Sequence, residues 1–175
     1  MFSIAHYFKN LHWQHHRLWW LQLALLIIVL DQLTKNLALN LLNYNDPVIL
    51  IQNWFQFRLV FNSGAAFSFL ADAGHWKQIF FFTIGTLVCL VLFFWLWTGK
   101  ALHKLLCISV TLIMGGAIGN LIDRLNYTYV IDFIQWHYKD IYYYPTFNIA
   151  DSAITVGAFL LIYDSLVNQK PQKNT

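Results

Sequence analysis

Four stretches of the chain are almost continuously apolar: Leu18–Asn36, Gln78–Trp97, Leu105–Leu121 and Ile149–Val167. Each has about the 17–25 residues an α-helix needs to cross a hydrocarbon core. Trp19, Trp20, Trp95 and Trp97 fall near span ends, where indole rings favour the membrane interface. Between the first two spans the period changes. In FQFRLVFN, Phe55, Phe57, Leu59 and Phe61 alternate with Gln56, Arg58, Val60 and Asn62, which is strand periodicity. With VILIQ at 48–52 this predicts a small sheet on the outer membrane surface, and TYVIDFIQW at 128–136 reads as another extended piece. Asn62, Ser63 and Gly64 punctuate the chain, and AAFSFL at 65–70 is expected to form a short interfacial helix. Tyr142, Tyr143 and Tyr144 are expected at headgroup level. The pattern therefore predicts a mainly α membrane protein of four transmembrane helices with a small extramembrane β-sheet.

Composition supports this reading. Of 175 residues, 58% are hydrophobic and only 11% charged, against about 25% in a soluble domain. The length suits one integral-membrane domain over 1–175. A net charge of +3 suits contact with anionic lipid and is too small to argue for nucleic acid. Lys9 and Arg17 in the N-terminal tail, Lys100, His103 and Lys104 between spans two and three, and Lys170 and Lys173 in the C-terminal tail are basic with no acid beside them. The positive-inside rule puts these segments, and both termini, in the cytoplasm, and the two longer loops outside. Asp31 and Lys35 follow the first apolar run and no small-residue cleavage site does, so that run reads as an uncleaved span. Cys89 and Cys107 lie in apolar runs and read as small core hydrophobes. His12, His15 and His16 have helix-compatible metal-ligand spacing but lack a nearby carboxylate or thiol, and read as a hydrated cluster.

Polar groups within the spans change the picture, because each costs about 2.5–3.5 kcal/mol or more when charged at a helix centre. Asp31 and Lys35 are four apart on one face and can pair, either as a structural link or within a site. Asn120, Asp123 and Arg124 share a face at the end of the third span, where Arg124 can snorkel or clamp a carbonyl or anion and Asp123 can hold its guanidinium. Gly115 and Gly119 form a small-xxx-small pair that admits a neighbouring helix. Asn148 and Asp151 project from one face near a helix N-terminus. Asp132, in the apolar run VIDFI, falls on the same outer side. Two converging carboxylates share a proton, so one can activate water while the other polarises a carbonyl. Spacing alone does not show that they meet, and Asp123 is a rival for either position. Two other classes stay open: an ion-coupled transporter using Asp31, Asp123, Asp132 and Asp151 as a relay, with Asp164 at the inner end, and a non-enzymatic assembly factor docking through the glycine face and outer sheet.

DQLTK (31–35), FNSGAAFSFL (61–70), GGAIGNLIDRL (115–125), VIDFI (130–134) and FNIADSAI (147–154) together resemble the motif series of the bacterial lipoprotein signal peptidases, the signal peptidase II family. The resemblance implies four transmembrane helices, an extracytoplasmic cradle sheet and a short interfacial helix. It implies an inner-membrane aspartic endopeptidase that cuts the signal peptide from diacylglyceryl-modified prolipoproteins just before the lipidated cysteine. The catalytic pair then falls on Asp132 and Asp151. Asn62, Gly64, Asn120, Asp123 and Arg124 match substrate-binding or supporting positions, Asn148 supports the carboxylates, and Asp31 and Lys35 are structural or supporting. The resemblance implies no metal and no cofactor. Expected partners are the lipidated substrates and membrane lipids, with the enzyme working as a monomer.

Overall fold

In the structure, a computed structural model, residues 18–64, 75–99, 103–139 and 141–167 are described. Four helices occupy the four apolar runs: α1 is Leu21–Leu41, α2 is His75–Thr98, α3 is Lys104–Tyr127 and α4 is Ile149–Val167. All four are long and apolar enough to cross a membrane. Two run five or more residues past their expected C-terminal ends. The run Leu37–Leu42 contains no helix breaker, so α1 continues five residues beyond Asn36 and Asp31 falls near its middle rather than at its end. α3 continues through Asn120, Asp123 and Arg124 until Thr128, whose left-handed φ of 67° stops it while its N–H bonds back to the Arg124 carbonyl.

The sheet is antiparallel, in the order β1 (Val48–Ile51), β2 (Phe55–Asn62), β3 (Val130–Tyr138) and β4 (Tyr142–Tyr143). Its long pair sets Asn62 opposite Val130 and Val60 opposite Asp132, across an irregularity between Phe57 and Val60. Two of the three tyrosines expected at the headgroups belong to β4 and remain exposed. The expected helix at 65–70 and the histidines at 12, 15 and 16 lie outside the described residues.

α3 is the hub, packing against α1, α2 and α4. Over half of its membrane-crossing stretch (56%) is buried, whereas for α2 the share is 11%, so α2 packs on one side only and leaves most of its residues at least partly open to lipid. Glycines make the hub possible. A Cβ at Gly115 would stand 2.9 Å from the Ala24 carbonyl of α1, and one at Gly116 would collide with the Ala150 carbonyl of α4. One at Gly119 would lie 2.6 Å from an Asp31 carboxylate oxygen, so the expected small-residue face admits a side chain as well as a helix. One apolar cluster joins α2 and α3 through Leu92, Leu96, Cys107, Val110 and Met114. A second, of Ala38, Leu59, Ile131 and Phe133, seats the sheet on α1. Cys107 is buried and Cys89 half-buried.

One backbone bridge decides where the site forms. Phe147 N–H donates to the Ile134 carbonyl, and its own carbonyl accepts from Phe133 and Ile134 N–H. The residues just before α4 are thereby fastened to β3, and this brings FNIAD beside VIDFI.

Candidate active site

Asn148 immediately precedes α4 and caps it. Its Oδ1 accepts from the Asp151 N–H at 2.8 Å, and the Asp151 Oδ2 accepts from the Asn148 N–H at 3.2 Å. This is a reciprocal capping box, which satisfies two backbone donors that the first helical turn would otherwise leave without partners. A third, Ala150 N–H, donates to Asp31 Oδ1 at 2.9 Å. The local sequence thus folds because its polar side chains serve the helix end.

The same side chains organise the carboxylates. Asn148 Nδ2 donates to Asp132 Oδ1 at 2.7 Å, so a single asparagine touches both Asp132 and Asp151. Asn62 Nδ2 donates to Asp132 Oδ2 at 2.9 Å. Its own Oδ1 accepts from the Gly64 N–H at 2.8 Å, in a turn where Gly64 has φ 86°, a conformation a side chain would strain. Asn120 Nδ2 donates to Asp151 Oδ1 at 2.7 Å. Three asparagines therefore turn their amino groups toward two acids, and a backbone N–H or an ammonium holds each amide oxygen.

The acids differ in setting. Asp132 is 1% exposed, whereas Asp151 is half-buried and lines a groove of about 690 Å³. Burial, reinforced by the nearby Asp151, raises the Asp132 carboxyl from an ordinary 3.8 to about 7, against the lowering effect of the Asn62 and Asn148 amides and Lys35. The groove runs between the aromatic end of the sheet, with Trp54, Trp136 and Tyr142, and the α4 face of Asp151, Ser152 and Thr155.

Behind the acids lies a buried ion cluster. Lys35 Nζ is 2.8 Å from Asp31 Oδ2 and 2.8 Å from Asp123 Oδ2, and it donates to Asn120 Oδ1 at 3.0 Å. The expected Asp31–Lys35 pair is present. Asp123 hydrogen-bonds elsewhere than Arg124, its oxygens accepting from Lys35, Gln32 and the Ile131 N–H, while its charge still acts on the neighbouring guanidinium. Helical geometry makes Asp123 and Arg124 neighbours in sequence that point about 100° apart, so the lysine on α1 claims the acid. Arg124 Nη1 donates to the Asn120 carbonyl at 3.2 Å, and its guanidinium lies 5.4 Å from the Phe81 ring centroid. Removing one partner from a buried pair costs about 3–5 kcal/mol, so this cluster is a strong constraint on how α1 meets α3.

Sequence reasoning overlooked Gln32, which ties Asp31, Asp123 and the Gly119 carbonyl together; its adjacency to Asp31 in a span was a usable signal. It also missed the aromatic walls of the groove, because they come from separated segments. Asp164 is not placed with the other acids and pairs with His103 at 3.2 Å.

Residues 23–167 match the family model for signal peptidase (SPase) II. The chain is 47% identical over 163 residues to a lipoprotein signal peptidase of Acinetobacter baumannii, spanning 91% of this chain and 90% of that protein. It is 43% identical over 156 residues to one from Pseudomonas putida, spanning 89% and 91%. Two structures of bacterial membrane enzymes, solved by the in meso method at 1.9 and 2.3 Å, superpose with TM-scores of 0.74 and 0.73 at 29% and 27% identity. They cover 86% and 89% of this chain, and it covers 94% of each. Four apolar helices, a four-stranded antiparallel sheet and these likenesses place the chain in the signal peptidase II family, multi-pass proteases of the bacterial inner membrane that remove signal peptides from prolipoproteins.

Proposed function

We propose that the protein is an aspartic endopeptidase in which Asp132 and Asp151 share one proton, acting on diacylglyceryl-modified prolipoproteins just before the lipidated cysteine. The observation that carries this reading is the hydrogen bonding of both carboxylates to Asn148, one from a strand and one from a helix that the Phe147 bridge sets side by side. Asp132, deeply buried and raised to about 7, holds the proton. Asp151, at a helix N-terminus and open to the groove, is the ionised partner. Asp151 takes a proton from water as its oxygen attacks the scissile carbonyl carbon, while Asp132 gives its proton to the carbonyl oxygen. In the second half the amide C–N bond breaks. Asp151 returns its proton to the leaving amine, and the gem-diol oxygen returns one to Asp132, so the pair ends as it began.

The charge bias of the loops supports an orientation with the acids toward the outer leaflet and both termini cytoplasmic. There the substrate's acyl chains stay in the bilayer, each buried CH₂ contributing about 0.8 kcal/mol. Arg124, half-buried beside Asn120, is suited to a substrate carbonyl. A proton relay fits less well, because Asp31 and Asp123 are held by Lys35 rather than lining a path. The deciding experiment incubates the purified full-length protein in detergent with a diacylglyceryl-modified precursor and its unlipidated counterpart. Only the first is expected to be cut, and Asp132→Asn or Asp151→Asn each is expected to abolish cutting while leaving the protein folded. Cleavage by either variant rejects the pair.

A further inference from the structure

Lys35 makes more contacts than an ion pair joining two helices requires. The side chain is 1% exposed, and its three N–H groups meet three acceptors: Asp31, Asp123 and Asn120 Oδ1. The third contact leads to the acids, because the amino group of the same Asn120 amide donates to Asp151 at 2.7 Å. An ammonium group donates only. Turning the Asn120 amide over would set two donors against each other at the lysine and a carbonyl oxygen against the Asp151 carboxylate. Asn62 and Asn148 are held by backbone N–H groups, which no substitution of another residue's side chain deletes; the Asn120 oxygen is held by side chains alone, by Lys35 at 3.0 Å and more loosely by Asn148 Nδ2 at 3.2 Å.

We infer that Lys35 is a positioning residue for the aspartate pair, holding Asn120 in the orientation that donates to Asp151 and setting the pH range in which the pair carries one proton. The inference rests on the shared-proton reading above. The groups that bear on Asp132 are Lys35 from α1, Asn62 from β2, Arg124 from α3, and Asn148 and Asp151 at the start of α4, while Asp123 of α3 acts on Lys35. Lys35 is a buried cation among them, and its charge favours the ionised carboxyl.

The test is the pH profile of kcat and KM for the full-length enzyme in detergent, cutting a diacylglyceryl-modified precursor. Lys35→Met removes charge and donors; Lys35→Gln removes the charge and keeps an amide donor. Loss of the positive charge makes Asp132 harder to ionise, so the alkaline limb of the bell-shaped profile moves to higher pH by about half a unit or more in each variant. In Lys35→Met kcat falls about tenfold or more with KM held within about twofold, and Lys35→Gln recovers part of the loss. A profile that stays in place, with activity following only the amount of folded protein, overturns the inference. Asp31→Asn supplies an independent reading if the lysine variants do not fold. It leaves the cluster more positive and moves the profile to lower pH, and an unmoved profile there overturns the inference equally. Absence of a bell in the unaltered enzyme would instead sink the shared-proton reading itself.

Discussion

Asn148 shows how much one side chain can carry. Its oxygen caps α4, its Nδ2 reaches Asp132, Asn120 and the Ile131 carbonyl, and its backbone N–H reaches Asp151. Asn148→Ala therefore removes a helix cap worth about 1 kcal/mol and takes one of the two amide donors from Asp132. The expected outcome is modest loss of thermal stability in detergent with a much larger loss of cleavage rate; equal loss in both would confine Asn148 to capping. The raised Asp132 carboxyl gives a second expectation. Activity needs its proton, so the rate falls as pH rises through about 7, a limb read from the pH dependence of cleavage. Stability shares the sign. The folded state binds this proton more tightly than the unfolded chain does, so the contribution is full below an ordinary 3.8 and is lost as pH rises through about 7. Asp132→Asn flattens that limb in a chemical unfolding series measured against pH.

At the scale of elements, the proposed active pair depends on how closely α3 approaches α4. Gly116 sits where a Cβ would run into the Ala150 carbonyl, a backbone atom that cannot rotate aside. Gly116→Ala pushes the start of α4 away from α3, separating Asp151 from Asn120, and is expected to cut activity sharply as well as lower stability. Gly85 is the control. A Cβ there meets only the Leu121 side chain, at 3.0 Å, and that chain can change rotamer. Gly85→Ala is expected to keep most of both properties in the same cleavage and thermal assays. Equal damage from the two substitutions would mean that activity does not depend on the α3–α4 approach in particular.

At the scale of the whole molecule, the lipid-facing surface and the charge bias bear on how the bundle sits. Leu25, Leu26, Val91, Phe94, Phe159 and Ile162 are exposed on the helices because hydrocarbon, not water, surrounds them. In the proposed orientation, with both termini cytoplasmic, a reporter active only outside the inner membrane stays silent when fused after the C-terminus and works when inserted in the 43–47 loop between α1 and β1. The reverse result would invert the orientation and put the acids at the inner leaflet.

The four spans, the alternating strand of FQFRLVFN and the residue types of the site were legible in the chain, because lipid and sheet each impose a local period on apolar positions. The Asp31–Lys35 pair was legible for the same reason, being set by helical spacing alone. The meeting of Asp132 with Asn148, the choice of Lys35 over Arg124 as the partner of Asp123, and the aromatic groove beside Asp151 were settled only by tertiary structure. Each joins residues from different elements, and such contacts depend on helix approach at the glycines and on the Phe147 bridge to β3. A local pattern states which face of an element is polar; it cannot state which polar face of another element will be waiting there.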